Sequence, residues 1–168
     1  EAMVGWKASE ELSSSVGFMY GSQQFEDRDN GRGLIDVVTN WTPLPDTYPG
    51  LKLKANFDYG WEEDVPSTNI DDGVDDWVGY ALYAQYELYE WLTLAARWEQ
   101  FWNDQASRTG LDSPRLWEMT YTADLKLYEN LLTRLEYRHD NGNSKQAFDN
   151  GTSDHQTTLG LSMIYLFG

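Results

Sequence analysis

The chain has 168 residues and no Cys, and its 12 Lys and Arg against 28 Asp and Glu leave a formal net charge of −16. One domain is the expectation at this length, disulfide and thiol chemistry are excluded, and so negative a surface argues against nucleic acid as a partner. No apolar run reaches the roughly 18 to 20 residues of a membrane-crossing helix, yet 15% aromatic residues are far too many for a disordered acidic tail.

Residues 1–8 lack the basic start and apolar centre of a signal peptide, so they read as mature or truncated sequence, and residues 2–8 alternate like a strand stub. Beyond them the side chains sort two by two, the signature of half-buried strands. Residues 12–21 set Leu12, Val16, Phe18 and Tyr20 against Ser13, Ser15 and Gly17, and residues 33–41 set Ile35, Val37 and Trp41 against Asp36 and Asn40. In residues 51–61, Leu53, Ala55, Phe57 and Tyr59 oppose Lys52, Lys54, Asn56 and Asp58. Residues 78–88 place Tyr80, Leu82 and Tyr86 opposite Tyr83, Gln85 and Glu87, and residues 92–102 place Leu94 and Trp98 opposite Thr93, Arg97 and Glu99. Residues 117–127 separate Met119, Tyr121 and Leu125 from Glu118, Asp124 and Lys126. Residues 131–140 separate Leu135 and Tyr137 from Arg134, Glu136, Arg138 and Asp140. Residues 157–167 close the series with Leu159, Leu161, Met163, Tyr165 and Phe167 on one face. The prediction is eight full strands and one stub.

Short connections (9–11, 43–50, 89–91, 128–130) alternate with long polar ones (22–32, 62–76, 103–115, 141–154). Leu12, Leu51, Leu92 and Leu131 each open a strand after a short turn, at spacings of 39, 41 and 39 residues. A repeat near that length also occurs in propellers. Two strands per unit instead point to an up-and-down meander closing on itself.

Such a meander either packs its apolar face inward, as a soluble lipocalin-like barrel does, or turns it toward lipid. Strands of about 10 to 12 residues suit a tilted bilayer crossing. Aromatics such as Trp41, Trp61, Trp77, Trp91, Trp102 and Trp117 gather at strand ends as interfacial girdles do. Connections segregated by length match the asymmetry of outer-membrane barrels. The predicted fold class is therefore an all-β, antiparallel up-and-down transmembrane β-barrel, integral to a bacterial outer membrane.

The alternating C-terminal row ending in Phe167 looks like the strand that the outer-membrane assembly machinery of Gram-negative bacteria reads. Together with Leu92-Thr-Leu-Ala-Ala-Arg97-Trp-Glu99 and Leu131-Leu-Thr-Arg134-Leu-Glu136-Tyr-Arg138, it resembles the putative β-barrel porin-2, OmpL-like family. The resemblance implies an outer-membrane porin that lets small polar or ionic solutes diffuse passively, longer than this chain in most members and poorly defined in substrate. Two readings stay open: the C-terminal part of a larger barrel, or an eight-stranded barrel with a remnant strand.

The predicted inward, pore-lining face carries Lys52, Lys54, Asp58, Glu87, Arg97, Glu99, Glu118, Asp124, Lys126, Arg134, Glu136 and Arg138. In a wide barrel these would set a transverse field across a wet lumen; in a narrow one they would pair into a plug, making a closed structural or adhesive barrel. Outside, Glu62, Glu63, Asp64, Asp71, Asp72, Asp75 and Asp76 form an acidic loop with no compensating base. That loop reads as a solvated rim, or as a site that meets lipopolysaccharide through divalent cations. Membrane lipid and lipopolysaccharide are the expected partners, beside the assembly machinery. The run Asp27-Arg-Asp29-Asn-Gly31 lacks the acid a calcium loop needs at its twelfth position, Val38. Ser153 near His155 is the nearest approach to a catalytic pair. No catalytic or metal residue, no cofactor and no enzymatic activity is predicted, and solute identity and oligomeric state are not legible.

Overall fold

The computed structural model describes residues 1–22, 30–63, 73–103, 108–109, 111, 113–145 and 147–167. Among them lie nine strands: β1 (Ala2–Lys7), β2 (Leu12–Gly21), β3 (Arg32–Trp41), β4 (Leu51–Glu63), β5 (Val74–Tyr89), β6 (Leu92–Trp102), β7 (Arg115–Tyr128), β8 (Leu131–Gly142) and β9 (His155–Tyr165). Each strand pairs antiparallel with the next, so sheet order is chain order. The fold is all-β and up-and-down, as the alternation dictates. β1 and β9 are free edges, and the sheet does not close through them. The stub is a genuine six-residue strand, paired from Ala2↔Phe18 to Lys7↔Ser13.

Short connections join β1 to β2, β3 to β4, β5 to β6 and β7 to β8. The last two are tight hairpins, each preceded by a register shift, between Glu87 and Tyr89 and between Lys126 and Tyr128. A shift of this kind lets the strand twist into its turn. At the opposite end the ladders run further than the alternation predicts. β4 continues to Glu63 and β5 begins at Val74, with Arg32↔Glu62 and Glu62↔Asp75 as ladder partners. Glu62, Glu63, Asp75 and Asp76 therefore belong to strands rather than to a loop: Arg32 pairs with Glu62 across β3 and β4, and Arg108 bridges the two acids, Glu62 and Asp75, that face each other across β4 and β5. Asp64, Asp71 and Asp72, like Asp27 and Asp29, lie outside the described residues.

The distribution of burial is inverted relative to a water-soluble domain. Among the described residues the buried apolar side chains are Ala81 and Ala147, whereas Glu62, Asp75, Glu118 and Asp140 are buried. Phe57, Tyr121 and Leu161, from the row expected to meet lipid, are 43%, 52% and 64% exposed. Globular proteins place these residue types the other way round. Among the described residues no apolar core gathers on either side of the sheet. Its cohesion comes from the hydrogen-bonded ladders and from polar contacts across one face.

Aromatic rings reinforce the other face and the rims. Tyr59 stacks on Trp61 at 5.7 Å between centroids, Tyr89 on Trp91 at 5.5 Å, and Tyr80 lies 5.1 Å from Trp102. Two glycines make room for cross-strand indoles: a Cβ on Gly33 would fall 2.1 Å from the ring of Trp61, and one on Gly60 2.1 Å from that of Trp77. Each indole covers the bare backbone of its ladder partner, an arrangement that shields a strand glycine.

Candidate functional site: the charged face of the sheet

The register brings every residue of the predicted pore-lining set to one face. Lys54 pairs through Tyr83 with Arg97, and Arg97 through Thr120 with Arg138. One position nearer the long loops, Glu99, Glu118 and Asp140 follow on successive strands. Lys52, Asp58, Glu87, Asp124, Lys126, Arg134 and Glu136 share that face by the same alternation.

Contacts on this face form four groups, three of which include members of that set. Glu118, 3% exposed, is gripped by Arg97 through two hydrogen bonds of 2.7 and 2.8 Å, and by Arg138 at 2.9 Å. Arg138 also donates to Asp140 at 2.6 Å, and Gln156 Nε2 reaches the second oxygen of Asp140 at 3.1 Å. Toward the turns, Arg134 holds Asp124 in a bidentate pair at 2.7 and 2.8 Å. On β3 and β4, Asn56 donates to Asp36 at 2.7 Å and to Asp58 at 3.4 Å, standing between two carboxylates that are direct ladder partners.

The fourth group sits at the loop end. Arg108, from the β6–β7 connection, donates to Asp75 at 2.9 and 2.7 Å and to Glu62, while its guanidinium lies 4.5 Å from the ring of Trp77. Asp75 is wholly buried, and Asn103 donates to it at 2.7 Å. Arg32 completes the cluster on Glu62 at 2.6 Å. The expectation that Glu62 and Asp75 lack a compensating base is thus overturned. Both bases are distant in sequence: Arg32 lies on the neighbouring strand, and Arg108 is delivered by a loop.

Other charges stay open. Lys52, Lys54, Lys126 and Glu87 are exposed, and Lys54 lies over the ring of Tyr83 at 5.3 Å. Between the charged face and two loop residues, Leu111 and Phe148, a cavity of about 380 Å³ is walled by Asp58, Glu99, Glu118 and Arg138 among others. The face is neither fully locked nor empty.

Alternation alone pointed to the pore-lining set, and carrying it one residue further would have added Arg32. Asp36 and Asp140 already lay on that face in the sequence reading. Arg108 carried no sequence signal, because its position depends on a loop folding inward. Ser153 and His155 do not form a catalytic pair: the Ser153 hydroxyl donates to the backbone carbonyl of His155 at 2.7 Å, while the imidazole contacts Asp154 at 2.7 Å. That hydrogen bond from the ring holds the Asp154 carboxyl below its usual range.

A single antiparallel meander with an apolar outer face, a charged inner face and loops segregated by length defines a porin-like β-barrel wall. The sequence profile of the family described as putative beta-barrel porin-2, OmpL-like, matches residues 1–167, and the chain belongs to that family. Among solved structures the NanC porin is similar in fold, with a TM-score of 0.69 and 12% identity over 98% of this chain and 76% of that one. No curated protein sequence matches the chain.

Proposed function

We propose that the chain forms an outer-membrane channel through which small polar or ionic solutes diffuse passively, with the charged face of the sheet lining the lumen. The observation that carries this reading is the inverted burial: the outward row is apolar and exposed, while carboxylates and guanidinium groups fill the opposite face. Membership of a porin family points the same way. Lys52 and Lys54, exposed on the inner face, favour a wet lumen over a packed plug.

The closed barrel, in this reading, is wider than eight strands. Because consecutive strands alternate in direction, β1 and β9 run the same way, and a direct join would be parallel. Antiparallel closure, the rule for bacterial barrels of even strand number, needs an odd number of further strands between them. β1 also occupies the edge of β2 that an eight-stranded barrel would need in order to close on β9, which supports the larger-barrel reading over the closed eight-stranded anchor. Lipid contacts the outward row, the acidic rim faces lipopolysaccharide, and the row from Leu159 to Phe167 serves as the signal for the assembly machinery. No catalytic step is assigned.

Liposome swelling tests the channel. Proteoliposomes should swell in isotonic solutions of small uncharged sugars at a rate that falls with solute size. Vesicles that carry folded protein yet stay as tight as protein-free ones would refute the channel and leave the structural anchor.

A further inference from the structure

The charges on the inner face are sorted along the strands. On β4, Lys52 and Lys54 lie nearer the short turn, Asp58 and Glu62 nearer the long loop. On β6 the order is Arg97 then Glu99, and on β8 it is Arg134, Glu136, Arg138 and, at the loop side, Asp140. β7, which runs the other way, has Glu118 toward the loop and Lys126 toward the turn. The ladder aligns these orders across strands. The row through Lys54, Arg97 and Arg138 holds no acid, and the next row toward the loops places Glu99, Glu118 and Asp140 side by side with no base. One row further, Asp36 faces Asp58.

Strand tilt makes such rows cross a barrel wall obliquely. Three acids, Glu87, Asp124 and Glu136, interrupt the order in the turn half, but the bases Lys52, Lys54, Arg97, Lys126, Arg134 and Arg138 outnumber them there, so the loop half of the wall is net acidic and the turn half net basic. Ion pairs such as Arg97–Glu118 straddle the boundary and leave Asp36 and Asp58 above it, and Lys52, Lys54 and Lys126 against Glu87 and Glu136 below it, to act on mobile ions.

We propose that this wall is a bipolar junction and that the channel rectifies, conducting better when the loop side is held positive. The inference rests on the channel reading above. With that polarity, cations are driven into the half whose fixed charge attracts them, and anions into the other half from the opposite side, so both accumulate at the boundary. Reversal sweeps both out, and the boundary becomes depleted. The effect requires a screening length comparable with the lumen radius, about 10 Å at 0.1 M salt and about 3 Å at 1 M.

Single-channel recording of the full chain in planar bilayers, with identical KCl on both sides, tests it. At about 0.1 M, currents at opposite polarities should differ at least about twofold, in two mirror-image classes that reflect insertion direction, and the ratio should approach one at about 1 M. The double variant Lys52→Glu, Lys54→Glu places acid at both ends of β4 and should bring the low-salt ratio close to one. Lys54→Gln, the milder change, should lower it in part. Both side chains are exposed and make no ion pair among the described residues. Equal currents at low salt, or a ratio that the double variant leaves unchanged, would overturn the junction while the channel itself stands. Folded protein with no conductance would remove the channel reading, and the junction with it.

Discussion

Leu135 and Glu136 are consecutive residues in the middle of β8, and exchanging each for arginine separates the two faces of the wall in one measurement. Leu135 is 47% exposed between its ladder partners Ala123 and Leu161, both on the apolar row. At that depth an arginine on a lipid-facing site costs about 2–4 kcal/mol, a shift in the folding equilibrium of about 30- to 1,000-fold. Glu136 instead makes one side-chain hydrogen bond among the described residues, accepted from Thr122 at 3.4 Å, and faces the charged side. Replacing it should cost under about 1 kcal/mol, since one marginal hydrogen bond contributes no more than that. Reversible unfolding in denaturant from lipid vesicles, followed by the fluorescence of the eight tryptophans, reads both. Equal losses for the two variants, or an unperturbed Leu135→Arg, would show that hydrocarbon does not contact this row.

The loop-end cluster makes a second prediction. Arg108→Ala removes a cation that donates two hydrogen bonds to the buried Asp75 carboxylate, and should lower stability by about 3–5 kcal/mol in the same assay. Arg108→Lys should recover only part, because lysine cannot reproduce both hydrogen bonds to Asp75 and the stacking on Trp77. Thr133, buried on the outward face, has a hydroxyl with no hydrogen-bond partner among the described residues, so Thr133→Val should raise stability by about 1 kcal/mol. Gly33→Val drives a side chain into the indole of Trp61, and should both destabilise the fold and shift the tryptophan emission. A Gly33→Val protein with wild-type emission and stability would show that the indole does not sit over this glycine.

Most of the wall was readable from the residues in order. A strand repeats every two residues, so Leu53 or Tyr121 and their neighbours Lys54 and Thr122 must face opposite ways in any antiparallel sheet, and eight such segments left little freedom of topology. Short turns fixed which strands are neighbours, and neighbours in an alternating sequence bring like face to like face. The sequence could even place the charged set before any contact was known. Where strands end was less legible: at the start of β5, Asp75 faces Glu62 across the ladder and both are held by Arg108 from a distant loop, a stabilisation that no local pattern encodes.

Tertiary structure alone decided the register, and with it which charges meet. Glu118 serves two arginines because the ladder puts it beside Glu99 on one side and Asp140 on the other, within reach of Arg97 and Arg138. A slip of two residues would have kept every side chain on its face and still dissolved that group. Arg108 lies in a polar loop and could have pointed anywhere; two carboxylates and an indole at the rim hold it inward. Periodicity is a property of the chain itself, whereas the pairing of charges across strands depends on offsets set by turns and loops far from the residues concerned.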